Sequence, residues 1–266
     1  MRDGLETLNW LVEAGADETI GEEPVNRLLA KSTQSASQLS TPARSAAPAI
    51  RSAPTGDGVT DAQALAKAAN NLTELKNAME GFEACGLKHT ATNTVFADGT
   101  PDGRVMFIGE APGRDEDRLG KPFVGRAGQL LDKMLASIGL NRNANVYITN
   151  VINWRPPENR DPSPEEAAMC LPFLRRHIEL ADPKVIVLLG AVAARHVMGL
   201  SDGIMKSRGR WMEYRVGERM VPIMPTLHPA YLLRQPAHKK LAWRDLQSLA
   251  ARMEALGLPE LFSKGN

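Results

Sequence analysis

The chain has 266 residues, of which 43% are hydrophobic and 24% charged, with a formal net charge of +1. That length allows one or two domains with a sizeable core, and that charge content excludes wholesale disorder. The longest uncharged apolar run, Val185 to Ala194, is too short to span a bilayer. The N-terminus lacks the apolar core of a signal peptide, and two cysteines cannot build a disulfide framework. A reducing cytoplasm is therefore the expected compartment. The near-zero charge hides an asymmetry: residues 1–30 carry −5 and the remainder +6. A mildly basic body is compatible with nucleic acid without demanding it.

In chain order, Leu5, Leu8, Leu11 and Val12 fall at helical spacing, so residues 1–31 read as an amphipathic helical arm. Residues 32–58 differ: 18 of the 27 are Ser, Ala, Pro or Thr and three are charged. Such a stretch cannot bury enough apolar area to offset its ordering entropy and reads as a flexible linker. A single domain is expected over 59–266. Its first helix would open at Thr60, which with Gln63 resembles a capping box, and present Leu65, Ala69, Leu72 and Met79 on one face.

From residue 101 the pattern is strand, loop, helix, repeated. Val105–Ile108 is a buried-strand run, followed by a glycine-rich loop over 109–128. Leu130, Leu131, Met134, Leu135 and Ile138 mark a helix ended by Gly139. Asn145–Thr149 is a second strand, and Ser163-Pro-Glu-Glu166 caps a helix running to about Leu180. Lys184–Leu189 is a third strand, apolar as expected when both faces are covered. Ala191–Met198 is helical, Val221–Met224 is a fourth strand, and residues 238–256 form a closing helix. This alternation predicts an α/β fold: a three-layer αβα sandwich around a short, mostly parallel four-stranded sheet.

Ligands in such folds sit beyond the carboxyl ends of the strands. That rule singles out the loop from Gly109 to Gly128, then Asn150, then Thr226–Arg234. Taken alone, Gly109 and Gly113 would be a plain turn, Asn150 a cap and His228 a structural histidine. Their convergence at three strand ends is the stronger signal.

The segments GEAPGRDEDRLGKPFVGRAG (109–128), NVINWRPPENRDPSPEEAAMC (150–170) and LHPAYLLR (227–234) resemble the family-four uracil-DNA glycosylases. The resemblance covers roughly residues 82–253 and leaves residues 1–81 outside it. It implies a DNA-repair enzyme that flips uracil out of DNA and hydrolyses its N-glycosidic bond. A binding protein of the same fold without turnover, or a nucleotide-binding regulator, is the alternative. By the resemblance, Phe123 stacks on the base and Asn150 reads its pairing edge. His228 donates to the departing O2, helped by backbone N–H groups of the 110–113 loop, with Ala111 and Gly113 lining the substrate site. Ala111 stands where the best-known branch has an aspartate, which leaves Glu116 and Glu110 as candidate catalytic carboxylates. The alternative for Glu116 is a cap, or a pair with Arg118 or Lys121.

Lys206, Arg208 and Arg210 before Trp211, and Arg234, Lys239, Lys240 and Arg244 after the His-Pro motif, are expected to grip phosphates. The alternative is a solvated charged face. Leu232 or Leu233 could wedge into the base stack or pack in the core.

One departure concerns the cofactor. Family four typically holds a four-iron–four-sulfur cluster on four cysteines. Here Cys85 and Cys170 occupy the second and fourth places, and Phe82 and Trp154 stand at the first and third. Two thiolates cannot hold a cubane that needs four ligands, so no cofactor is expected. A recruited ligand such as His89, or a zinc site, is the alternative. The expected partner is uracil-containing DNA, without a membrane. The expected state is a cytoplasmic, nucleoid-associated monomer whose N-terminal arm is available to a repair or replication partner.

Overall fold

The computed structural model describes residues 57–258. The expected arm over 1–31 and the linker as far as residue 56 lie outside the described residues.

The described chain builds one six-stranded sheet, ordered β1-β3-β2-β4-β6-β5. Its centre is β2 (Val105–Gly109), β3 (Val146–Asn150), β4 (Val185–Leu189) and β6 (Arg219–Thr226). These four pair in parallel. β2, β3 and β4 are buried at every position because helices cover both faces. Alternate residues point to opposite cores. Met106, Ile108, Ile186 and Leu188 face one apolar cluster, while Val105, Phe107, Val185 and Val187 face the other. Burying each of these large apolar side chains stabilises the fold by about 1.5–3 kcal/mol.

Helices α1 (Asp57–Ala68), α2 (Leu72–Glu80) and α5 (Pro164–Ala181) bring residues to the first cluster. Helix α4 (Arg126–Ala136) lines the second, with α8 (Pro229–Arg234) and α9 (Lys239–Ala255). Short helices α3 (Arg114–Leu119), α6 (Ala191–Met198) and α7 (Ile204–Ser207) complete the connections. The capping box expected for α5 is formed: Ser163 Oγ accepts from the Glu166 N–H, and the Glu166 carboxylate accepts from the Ser163 N–H.

The expectation of four strands is corrected to six. The additional strands are β1 (Asp98–Gly99), antiparallel to β3, and β5 (Met212–Val216), antiparallel to β6. Both are edge strands. β1 has only two residues, and β5 exposes Glu213 and Arg215 between half-buried neighbours, so neither has an apolar run to announce it. The first helix is also corrected: it opens at Asp57, ahead of Thr60. Leu65 is exposed, while Ala62, Ala66 and Ala69 are buried. Small alanines allow close approach of α1 to its neighbour, so the packed stripe is not the one marked by the larger side chain.

No helix among the described residues is long and apolar enough to cross a membrane.

Candidate active site

Strand order reverses around β2, with β3 on one side and β4 on the other. The carboxyl ends of these strands therefore leave a crevice between diverging connections. Gly109 closes β2 and pairs in register with Asn150, which closes β3. A Cβ at Gly109 would lie 2.4 Å from Asn150 Oδ1 and 2.6 Å from two ring atoms of Phe123. Only glycine lets the asparagine and the phenylalanine meet on that strand end. Phe123 itself sits in the left-handed region, with φ 55°.

His228 follows β6 and caps α8. Its Nδ1 accepts a hydrogen bond from the Ala230 N–H at 3.1 Å. In the neutral ring the proton must then reside on Nε2, which is left to donate. Burial, joined by the nearby Arg234 charge, pulls the imidazole down to about 4, so the ring is neutral at ordinary pH. The rings of His228 and Phe123 are 5.5 Å apart between centroids, tilted by 35°.

These groups surround a cavity of about 190 Å³, lined by Ala111, Gly113, Glu116, Phe123, Ala127, Asn150, His228 and Ala230. Sites for drug-sized ligands span roughly 300–1,000 Å³, so this one is scaled to a single small heterocycle. Asn150 is fully buried, and its Oδ1 has no hydrogen-bond partner. Leaving a buried acceptor unmatched costs about 1–3 kcal/mol, a cost that a ligand N–H would relieve.

Two residues that line the cavity, Ala127 and Ala230, escaped the sequence reading. An alanine carries no chemistry to advertise itself, and Ala230 matters through its backbone N–H. Glu116 is in the cavity wall, but its carboxylate is held by three backbone N–H groups. It accepts from the N–H groups of Gly113 at 3.1 Å, Val124 at 3.0 Å and Gly125 at 2.9 Å. That engagement removes part of the expected set of backbone donors in the 110–113 loop and leaves the N–H groups of Glu110 and Ala111. Pro112 has no N–H, and that of Gly113 points to Glu116. Glu110 does not line the cavity. Burial raises its carboxyl above the usual range, the Asp161 charge adds to this, and Arg195 partly opposes it.

Of the expected phosphate contacts, Lys206, Arg210, Arg234, Lys239, Lys240 and Arg244 are exposed. Arg208 is a correction. Its guanidinium is paired with the buried Asp245 carboxylate and donates to the Leu241 carbonyl, so it holds the fold together. Asp245 also accepts from Thr226 Oγ1 at 2.6 Å, which fixes the strand end that leads to His228. Leu232 is buried and Leu233 is exposed.

On the other face of the sheet, Cys85 and Cys170 are buried in one cluster, where their thiols influence each other's ionisation. The partner thiol is the main reason Cys85 is held below the ordinary thiol range and Cys170 well above it. The other two expected ligand places hold packed aromatics. Phe82 stacks on Trp154 at 6.4 Å and meets Phe173 edge-on at 5.2 Å. Trp154 Nε1 donates to Thr94 Oγ1 at 3.0 Å. His89 sits beside Glu83. Among the described residues, no group of three or more His, Cys, Asp or Glu side chains could hold a metal ion.

The sequence profile of the uracil DNA glycosylase superfamily matches residues 96–247. The type-4 uracil-DNA glycosylase of Thermotoga maritima is 46% identical, over 62% of this chain and 85% of its own length. That of Archaeoglobus fulgidus is 44% identical, over 62% and 85%. That of Sulfurisphaera tokodaii is 39% identical, over 68% and 84%. The expectation of no cofactor is corrected by this kinship, because the type-4 enzymes are the iron–sulfur group of the superfamily. The donor set here does not fit a four-cysteine cluster, since two aromatic rings fill two of its places. From the strand-end cavity, the profile match and these relatives together, the chain belongs to the uracil-DNA glycosylase superfamily, on its type-4 side.

Proposed function

We propose that this chain is a monofunctional uracil-DNA glycosylase acting in DNA repair. It hydrolyses the bond between uracil and deoxyribose and leaves an abasic site. The observation that carries the reading is the unpartnered Oδ1 of buried Asn150, set against Phe123 and His228 in one small cavity. An amide of this kind accepts from N3–H of uracil while its NH₂ donates to O4. Cytosine presents the opposite pattern at those two atoms.

The target base must leave the helix stack to reach the cavity, where Phe123 offers a flat stacking face. As the C1′–N1 bond breaks, its electron pair stays with uracil and charge grows on O2. Neutral His228 donates from Nε2 to that oxygen, a preorganised donor aimed at developing charge. Water adds its oxygen to C1′ and gives up a proton to solvent. Positioning and leaving-group stabilisation supply the catalysis, without a strong base at Ala111.

Lys206, Arg210, Arg234 and Lys239 neutralise phosphates around the cavity mouth, giving sequence-independent, salt-sensitive affinity. Leu233, exposed on α8, fills the gap left by the everted base. Residues 59–266 form the catalytic domain, acting as a monomer at the nucleoid. Residues 1–31 on their 32–58 tether recruit a repair or replication protein.

The test is a single-stranded oligonucleotide with one uracil, followed by alkali. Strand scission at the uracil position is expected, and its absence at micromolar enzyme rejects the reading.

A further inference from the structure

The left-handed backbone at Phe123 needs an explanation. A bulky residue at φ 55° costs on the order of 1–3 kcal/mol and persists only where its surroundings over-determine it. Two charged side chains grip the chain here from opposite polar sides. Arg142, from the turn before β3, donates through Nη2 to the Phe123 carbonyl at 2.7 Å and through Nη1 to the Pro122 carbonyl at 3.2 Å. Glu116 accepts the N–H groups of Val124 and Gly125, immediately after the phenylalanine. A cation on the carbonyls and an anion on the amides match the direction of the peptide dipoles. Such charge-assisted bonds are about twice as strong as neutral ones.

The guanidinium is itself held. Arg142 pairs with Asp98 at 3.0 Å and Asp132 at 2.8 Å, and its side chain is 12% exposed. Those carboxylates take Nη1 and Nε, which leaves Nη2 for the Phe123 carbonyl. Gly128 closes the arrangement, since a Cβ there would lie 1.8 Å from the Phe123 oxygen. The ring is thereby pressed against Gly109 and turned toward Asn150.

We propose that Arg142 is a positioning residue for base recognition, acting through Phe123 and jointly with Glu116. It does not line the cavity, so it touches no reacting atom. This inference rests on the function proposed above and makes the stacking platform a clamped element. It also reassigns Glu116 from a candidate water-orienting base to the second jaw of the clamp.

A double-mutant cycle tests it, with Arg142→Met and Glu116→Ala each combined with Phe123→Leu. Displacing a positioning contact by an ångström can cost about a hundredfold in rate. Each single substitution is expected to lower kcat/KM on uracil-DNA by about 10–100-fold. In the Phe123→Leu background the same substitutions should change it less than about threefold, because the ring they orient is gone. Equal fold-losses in both backgrounds overturn the inference. Arg142→Lys keeps the charge but not the fork, and should fall between wild type and Arg142→Met. Arg104→Met, which removes an arginine from the opposite end of the sheet, should leave kcat/KM within about twofold, and a larger loss makes the effect one of general stability. The cycle is also read as Kd for an oligonucleotide carrying 2′-fluorinated deoxyuridine. If the wild-type chain binds it but releases no uracil from the unmodified uracil oligonucleotide, the proposed activity fails while the Kd cycle still judges the clamp. Identical Kd in wild type and Arg142→Met sinks the clamp alone.

Discussion

Asn150 and Asn153 lie three residues apart, both fully buried, and they are treated in opposite ways. Asn153 donates to the carbonyls of Val95 and Phe96, and the chain around it is satisfied. Asn150, which lines the cavity, keeps an oxygen without a hydrogen-bond partner. The contrast extends to the regions they serve. Beyond Asn153, Trp154 joins Phe82 and Phe173 in a packed aromatic group within the same buried cluster as Cys85 and Cys170. Around Asn150, one buried polar atom is left without a partner and Phe123 is held in a costly backbone conformation. One region spends its residues on packing and the other holds groups ready for a ligand. A change in the packed aromatic cluster is therefore expected to leave the cavity and its polar groups intact.

The sharpest way to break this comparison is to exchange the effects. Trp154→Ala should cost about 3–5 kcal/mol of stability, read by denaturant unfolding, while kcat/KM of the folded protein stays near wild type. A parallel collapse of activity would mean that the two regions are one unit. His228→Ala should do the reverse. Losing one oxyanion-type donor costs about 3–4 kcal/mol of transition-state stabilisation, or 10²–10³ in kcat. The lost cap costs only about 1 kcal/mol in stability.

The pH dependence sharpens the same contrast. Burial holds His228 at about 4 and His177 at about 3, below the ordinary value of 6.5. The unfolded chain thus binds more protons than the folded one below pH 6.5. Stability contributed by the neutral rings is complete above that pH and is lost as pH falls through about 4 and then about 3. Activity should be flat from pH 8 to about 5 and decline toward 4, where protonated Nδ1 can no longer accept from Ala230. A rate that instead halves near pH 6.5 would show a solvated histidine.

The smallest effects concern salt. Lys206→Ala and Arg210→Ala should each reduce the salt dependence of DNA binding by about one unit of slope. Arg208→Ala should leave that slope unchanged and instead lower stability by about 3–5 kcal/mol, because buried Asp245 loses its partner. A changed slope for Arg208 would put its guanidinium on phosphate after all.

The order of the central strands and their helices, the parallel core and six of the eight residues lining the cavity were legible in the primary sequence. A strand buried on both faces must be apolar throughout, as Val185–Leu189 is, and loops beyond strand ends carry chemistry by topology. What the sequence concealed depends on where a side chain ends up. Arg208 and Arg210 are two residues apart and chemically alike, yet only one faces a buried carboxylate. Leu232 and Leu233 differ only in the helix face they occupy. Glu110 reads like a catalytic carboxylate but lies outside the cavity wall, and Arg142 carries no motif yet holds the stacking ring. Residue type and period set which elements form and where a site must lie. Which polar atoms are satisfied and which stay open is decided only by packing, because that depends on partners 19 to 58 residues away in the chain.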